Sequence, residues 1–160
     1  MPFIVVLLLF AAVPKIKLAG LNPQSIEFME RDIVDSSAEC TGNKIIPTVV
    51  DGNECGAYIL VTLDGNEEDE IFQRAETLAV IGEEAGAFDT LVIEHPADKA
   101  AVWAARSAFL TVIEAETEHL DEMDVVVPVD KIAEFLGFIH DTGVENGVLI
   151  RSFGHAVTVT

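Results

Sequence analysis

Three side chains in the C-terminal half of the sequence are of types that can carry chemistry. His155 follows Gly154, directly after an apolar and strand-like run over residues 148–153. A neutral imidazole can accept a proton or ligate a metal, so His155 is a candidate base and a candidate metal ligand. Arg106 lies three residues after Trp103 on a predicted helix. A guanidinium beside an aromatic ring can hold a carboxylate through two hydrogen bonds, so these residues predict a site for a small carboxylic acid.

Each of these residues also has a structural interpretation. Arg106 can form a surface ion pair with one of the many acidic residues, and His155 can be a hydrogen-bonded histidine at a frayed chain end. One histidine cannot complete a metal site by itself. The acidic run over residues 114–124 offers oxygen ligands for a divalent metal, but such runs are more often solvated loop faces. The other histidines have no partner at a useful spacing and are predicted to lie at the surface.

The composition restricts which partners the chain can have. Half of the 160 residues are hydrophobic, which is ample for a buried core. Nine basic residues against 28 acidic ones give a net charge of −19, and such a chain repels nucleic acid and anionic membranes. We therefore expect neither as a partner. The same charge repels a free carboxylic acid, so an anion site needs its own positive charge, which Arg106 is best placed to supply.

Two further features bear on the cellular compartment. Cys40 and Cys55 lie in polar, glycine-rich sequence without Cys-x-x-Cys spacing. We expect two reduced thiols in a cytoplasmic protein rather than a disulfide. The apolar stretch 3–13 has no basic residue ahead of it and is too short to span a bilayer. We interpret it as a buried strand that runs into a helix, not as a secretory signal.

Strand and helix patterns alternate about six times along the chain. Strands are predicted over residues 3–9, 25–29, 58–63, 90–94, 124–128 and 148–153. Helices are predicted over 10–18, 31–40 and 96–116, between Asn66 and Gly86, and after Asp130. The alternation favours a parallel doubly wound sheet, although no glycine-rich nucleotide-binding motif follows any strand. Ferredoxin-like α+β units with an antiparallel sheet fit equally well, and the pattern does not separate the two folds.

The chain resembles one protein family in three segments that occur in the same order. These are the sequence around Trp103, residues 124–128 and the Gly154-His155 pair. This family is the C-terminal domain of FAD-linked 2-hydroxyacid dehydrogenases, the D-lactate dehydrogenase and glycolate oxidase FAD-subunit group. The resemblance runs from about Phe10 to His155. Its better segments are 21–34, 103–110, 116–135 and 152–156. It implies one α+β domain over residues 1–160, with ferredoxin-like units and a mainly antiparallel sheet on which helices pack. In this sheet we expect the strands 58–63 and 90–94 to pair with each other.

The resemblance also implies roles for the candidate residues. Arg106, with Trp103 beside it, would hold the carboxylate of a small 2-hydroxy acid such as D-lactate or glycolate. His155 would be a divalent-metal ligand or the base that removes the hydroxyl proton, and FAD would accept the hydride. Members of the family continue after Gly-His with Gly-Asp-Gly-Asn and a second histidine, whereas this sequence reads Val-Thr-Val-Thr. Some members carry a basic residue near position 122, where this chain has Glu122.

These departures predict a truncated copy of the catalytic domain that is inactive alone. No FAD site is recognisable in the sequence, and in the family most of that site belongs to a separate N-terminal domain. The expected partners are therefore an FAD-binding domain or subunit and a small 2-hydroxy acid, and homo-oligomerisation is left open. The alternative is a non-catalytic ferredoxin-like domain that serves as an oligomerisation or small-ligand-binding module.

Overall fold

The computed structural model describes residues 3–7, 12–87 and 89–156, with a five-stranded antiparallel sheet at the centre. The elements follow in the order β1 (Phe3–Leu7), α1 (Val13–Leu18), β2 (Ser25–Glu30), α2 (Arg31–Thr41), β3 (Val49–Val50), β4 (Asn53–Glu54), β5 (Ala57–Leu63), α3 (Glu68–Glu84), β6 (Thr90–Ile93), α4 (Pro96–Ser107), α5 (Phe109–Glu116), a 3-10 turn (Val129–Lys131), α6 (Ile132–Asn146) and β7 (Phe153–His155). The strand order is β6-β1-β5-β2-β7, and β3 and β4 form a separate hairpin.

Strand β1 is buried on both faces because helices cover both sides of the sheet. Phe3 and Val5 belong to the apolar cluster under α1 and α3. Ile4 and Val6 belong to the second cluster, under α2, α4 and α5. Successive side chains of a strand point to opposite faces, so a strand covered on both sides must be apolar at every position. This explains the unbroken hydrophobic run at the start of the sequence.

The predicted fold class is confirmed. All four ladders of the main sheet are antiparallel. The family resemblance therefore predicts the sheet correctly, whereas the alternation of strands and helices, which favours a parallel sheet, does not. β5 lies between β1 and β2, so the β1-α1-β2 unit is split by an inserted strand, as in ferredoxin-like units. The predicted pairing of 58–63 with 90–94 is wrong, because β1 lies between β5 and β6 and pairs with both.

Three predictions for the C-terminal half are also wrong. Residues 124–128 form no strand, and Val126 is 97% exposed. An apolar run becomes a strand only where it pairs with another strand, and this segment pairs with none of the described strands. The predicted strand over 148–153 is reduced to β7, which begins at Phe153. The predicted helix 96–116 is divided at Ala108, whose N–H is shared between two preceding carbonyl groups, a tightening typical of helix ends.

The N-terminal predictions fall partly outside the described residues. Residues 8–11 belong to the predicted strand 3–9 and helix 10–18, and nothing is described for them. α1 begins at Val13, with Pro14 in the first turn, where its missing N–H costs little. None of the described helices combines the length and the apolar character needed to cross a membrane. Both cysteines are free thiols, as predicted, and burial raises the pKa of Cys55 above its ordinary value.

The chain returns from α6 to the sheet through a segment that is fixed at both ends. Gly147 ends α6 in the left-handed conformation (φ 68°), and Val148 N–H donates to the Gly143 carbonyl at 2.9 Å. At the sheet, Ser152 N–H donates to Glu30 Oε2 at 2.9 Å, while Glu30 N–H donates to the Ser152 carbonyl at 3.2 Å. These bonds determine where β7 begins beside β2.

We predict that an alanine side chain does not fit at Gly143. Its Cβ would lie 2.7 Å from the Val148 carbonyl oxygen and 3.1 Å from the Ile150 side chain. Since that carbonyl belongs to backbone that is tied to α6, Gly143→Ala should lower the free energy of unfolding by about 1–3 kcal/mol. Gly137 is the matched control on the same helix, where a Cβ meets nothing within 4 Å. Gly137→Ala should raise the free energy of unfolding by about 0.5–1 kcal/mol.

Urea unfolding of the two variants beside the parent chain measures both effects. Stabilisation by both substitutions would show that the returning segment moves freely and does not fix β7.

Candidate functional site

The two predicted site residues Arg106 and His155 meet at Glu27, in the middle of β2. The Glu27 side chain is 3% exposed. Its neighbours Ile26 and Phe28 point into the cluster under α1 and α3, so Glu27 faces the opposite layer, beneath α4. A carboxylate withdrawn from water costs several kcal/mol unless cations and donors surround it. The three residues, named here the Glu27 cluster, therefore form one electrostatic unit.

The geometry of the Glu27 cluster assigns one partner to each carboxylate oxygen. Arg106 donates from Nη2 to Glu27 Oε2 at 3.3 Å. His155 Nδ1 lies 2.8 Å from Glu27 Oε1, and the two residues are direct partners in the ladder between β2 and β7. The Arg106 side chain is 15% exposed, whereas that of His155 is 76% exposed. Within the cluster, Glu27 therefore lies between Arg106, which is largely buried, and the imidazole of His155, which is at the surface.

Two aromatic rings hold the Arg106 guanidinium in place. Its Cζ lies 4.7 Å from the ring centroid of Phe153 and 5.5 Å from that of Phe109, within range of a cation–π attraction. The sequence predicts Trp103 as the aromatic neighbour, but Trp103 lies one turn earlier on α4 and is 37% exposed. The buried Arg106 Nε has no hydrogen-bond partner among the described residues. One N–H donor therefore remains unused beside the ion pair.

The other arginines are committed to structural contacts. Arg31 contacts Asp35 and Glu54. Arg74, whose position in the sequence suggests a solvated side chain, donates instead to three backbone carbonyl groups. Arg151 contacts two acidic side chains, and its hydrogen bond lowers the pKa of one of them, Glu116. Arg106 is thus the arginine best placed to receive a small anion.

The remaining predicted ligands do not gather into a metal site. The acidic run over residues 114–124 is exposed throughout. Within the described ranges, no group of three His, Cys, Asp or Glu side chains is arranged to hold a metal ion. Metal ligation by His155 remains a prediction that needs ligands beyond these. His95 caps α4, where its Nδ1 accepts from Ala97 N–H at 3.3 Å.

Sequence reasoning missed Glu27 and also the partner of His140. A single acidic residue in a strand ordinarily faces solvent, and the burial of Glu27 follows from tertiary packing, which brings residues 79 and 128 positions away onto its two oxygens. The one signal in the sequence is that Glu27 stands between apolar residues on both sides. His140 is not a free surface residue, because its Nε2 lies 2.7 Å from Glu30 Oε1. The two residues are 110 positions apart, too far for any spacing rule.

The N-terminus of α3 does not fit the phosphates of a flavin dinucleotide. The turn from β5 into α3 contains Gly65 and leads to a helix N-terminus, which is the usual place for a bound phosphate. Here the first turn of α3 carries Glu68, Asp69 and Glu70, and these side chains repel an anion. A flavin must therefore be held by groups other than these.

Comparison with known proteins gives consistent matches over nearly the whole chain. The family model for FAD linked oxidases, C-terminal domain, matches residues 6–158. A D-lactate dehydrogenase of Anaerostipes hadrus is 44% identical over 146 residues, which are 91% of this chain and 31% of that protein. A D-lactate dehydrogenase of Archaeoglobus fulgidus is 25% identical over 134 residues, 84% of this chain and 27% of its own length.

A third relative carries a less specific name. An uncharacterized FAD-linked oxidoreductase of Mycobacterium tuberculosis is 29% identical over 127 residues, 79% of this chain and 27% of that protein. The chain thus spans less than a third of the length of each of these relatives, between 27% and 31%.

We predict that Arg106 and Glu27 are strongly coupled in stability. Arg106→Met leaves a buried carboxylate without its cation and should lower the free energy of unfolding by about 3–5 kcal/mol. Glu27→Gln should also destabilise the fold, because it leaves a buried cation. The double variant should cost less than the sum of the two by about 1–3 kcal/mol. Urea unfolding of the four proteins of this cycle measures the coupling.

The exposed pair of Arg31 and Glu54 is the matched control and should show no measurable coupling. Additive costs at Arg106 and Glu27 would contradict the prediction, since they would mean that neither residue compensates the charge of the other.

Proposed function

The chain belongs to the family of FAD linked oxidases, C-terminal domain, and we propose that it is the substrate domain of an FAD-dependent 2-hydroxyacid dehydrogenase. The proposed substrate is D-lactate or glycolate, and two relatives named D-lactate dehydrogenase support D-lactate. The reaction converts the 2-hydroxy acid into a 2-oxo acid. The observation that carries the proposal is that Arg106 and His155 converge on the buried Glu27 in a chain of this family.

Arg106 is the proposed carboxylate-binding residue. Glu27 engages Nη2, and a guanidinium has five N–H donors, so Arg106 keeps donor capacity for a second carboxylate. The rings of Phe109 and Phe153 shield the charge from water, which strengthens a charged hydrogen bond. Trp103 lies one turn earlier on the same helix and is proposed as the apolar contact for the carbon chain of the substrate.

His155 is the proposed base, or one ligand of a divalent metal. Its Nδ1 contacts Glu27, and its exposed ring is accessible to a substrate that approaches from the solvent side. The proton of the substrate hydroxyl would pass to Nε2. FAD, when bound, supplies the hydride acceptor for the hydrogen on the same carbon. A metal at this position would need further ligands from outside the described residues.

The flavin is proposed to come with an FAD-binding domain or subunit. The relatives are more than three times as long as the matched region, which supports a second domain of this kind. Large apolar side chains are exposed on α6 and the segment before it, including Phe138 at 65% and Val126 at 97%. Val127, Phe135 and Phe138, together with the ion pair of Lys131 and Glu134, line an open cavity of about 370 Å³. Exposed apolar surface of this kind is typical of a surface that another domain covers.

We predict that the purified chain is colourless and remains so after incubation with FAD. The acidic first turn of α3 and the net charge of −19 disfavour binding of the flavin phosphates. Gel filtration followed by a flavin absorbance spectrum tests this directly. Stoichiometric yellow flavin in the protein peak would contradict the assignment of FAD to a second domain.

We predict that Arg106 affects turnover more than an ordinary ion-pairing arginine. In the flavin-loaded enzyme formed with the FAD-binding domain, Arg106→Ala should lower kcat/KM for D-lactate by about ten- to a hundred-fold, because one charged hydrogen bond is lost. Arg106→Lys keeps a positive charge near Glu27 but loses the planar fork, so it should recover only part of this. Steady-state kinetics are read beside a melting curve for each variant.

Arg31→Ala is the matched control, because Arg31 has two acidic partners and lies outside the Glu27 cluster. Equal and small kinetic effects at Arg106 and Arg31 would make Arg106 a purely structural residue. The alternative, a non-catalytic ferredoxin-like module, would then be favoured.

A further inference from the structure

Glu27 makes a contact whose consequence goes beyond charge compensation, because it determines which nitrogen of His155 carries the proton. We propose that Glu27 is a positioning residue that holds neutral His155 in the Nδ1–H tautomer. The lone pair of Nε2 is then free to accept a proton or bind a metal. A role of this tautomer in catalysis rests on the proposed function. The assignment of the tautomer does not, because it follows from the hydrogen bonds of Glu27.

The hydrogen-bonding capacities of the three groups lead to this assignment. A guanidinium has only donors, and a carboxylate has only acceptors. Arg106 donates to Glu27 Oε2, so Oε1 is the oxygen that faces the ring at 2.8 Å from Nδ1. A neutral imidazole has one N–H and one lone pair, and only the N–H can pair with a carboxylate oxygen. The ring must therefore place its proton on Nδ1.

Backbone pairing holds the ring in this orientation. His155 lies directly opposite Glu27 in the ladder, and Ala156 N–H donates to the Ile26 carbonyl at 2.7 Å, immediately beside that pair. Among the described residues, the His155 ring forms its hydrogen bond through Nδ1, with Glu27 as the partner. With 76% of the side chain exposed, the other side of the ring faces outward. A carboxylate behind an imidazole is how proteins commonly orient a histidine base or metal ligand.

The same strand also links His155 to Arg106. Phe153, two residues before His155 on β7, supplies the ring nearest to the Arg106 guanidinium, at 4.7 Å. Glu27 thus acts on two groups. It balances the charge of Arg106, which is proposed to hold the substrate carboxylate, and it orients the His155 ring, whose Nε2 is proposed to take the proton. This gives a reason for a buried acidic residue in an otherwise apolar strand.

Glu27→Gln should reverse the tautomer. Because Arg106 can only donate, the amide oxygen of the new side chain must face Arg106 and the amide NH2 must face Nδ1. Nδ1 then accepts a hydrogen bond, and the ring proton moves to Nε2. The change keeps the shape of the side chain, so a purely structural role for Glu27 gives no reason for such a reversal.

The experiment is two-bond 1H–15N correlation NMR on the 160-residue chain labelled with 15N-histidine, at an alkaline pH where the imidazoles are neutral. The His155 signals are assigned by their loss in His155→Gln. We expect the Nδ1–H pattern in the parent chain and the Nε2–H pattern in Glu27→Gln. Glu54→Gln is the control, because it makes the same change at a carboxylate that pairs with Arg31, away from β7, and should leave His155 unchanged.

An Nε2–H pattern for His155 in the parent chain would overturn the proposal, as would the same pattern in the parent and in Glu27→Gln. The parent spectrum decides the question alone if Glu27→Gln does not fold. The outcome is separate from the proposed function: a reconstituted enzyme without hydroxyacid activity, in a chain with the expected tautomers, would reject the function and leave the positioning role of Glu27 intact.

Discussion

Burial of the Glu27 carboxylate is the constraint on which the arrangement of the second layer depends. Removing this ion from water is costly, so each of its oxygens requires a donor. Arg106 and His155 lie 79 and 128 positions away in the sequence, and both must be delivered to the middle of β2. α4 must therefore bring Arg106 to this carboxylate, and β7 must pair at the β2 edge. A hydrophobic residue at position 27 would remove both requirements.

Positively charged side chains are scarce in this chain, so the burial of Arg106 beside Glu27 is a notable use of one of them. The chain has nine basic residues for 28 acidic ones. Arg31 and Arg74 hold together surface segments or loop carbonyls, and Arg151 is paired with two acidic side chains. Arg106 has one acidic partner and lies between it and two aromatic rings. In a strongly acidic molecule, a buried cation with unused donor capacity is the natural place for a small anion to overcome the repulsion of the surface.

The sequence was sufficient to predict the fold class and two members of the Glu27 cluster, and the reasons are physical. Strands over 25–29, 58–63 and 90–94 were predictable because β-branched and apolar runs lie between turn residues. Arg106 and His155 were found by residue type and by resemblance. Periodicity carries no information about which strands pair, so the position of β1 between β5 and β6 was not predictable. The apolar segment 124–128 has the composition of a strand but pairs with none of the described strands, and composition does not determine pairing.

The length of β7 has a consequence for how the cluster behaves in time. β7 contributes three residues at the edge of the sheet, next to β2 alone, and such edge elements open at a lower free energy than the centre of a sheet. Because Phe153 and His155 both belong to it, a single local opening removes the ring from Arg106 and the imidazole from Glu27 together. Fraying of this one short strand would therefore remove His155 and one of the two aromatic contacts of Arg106 in the same event, while the ion pair between Arg106 and Glu27, which joins α4 to β2, stays in place.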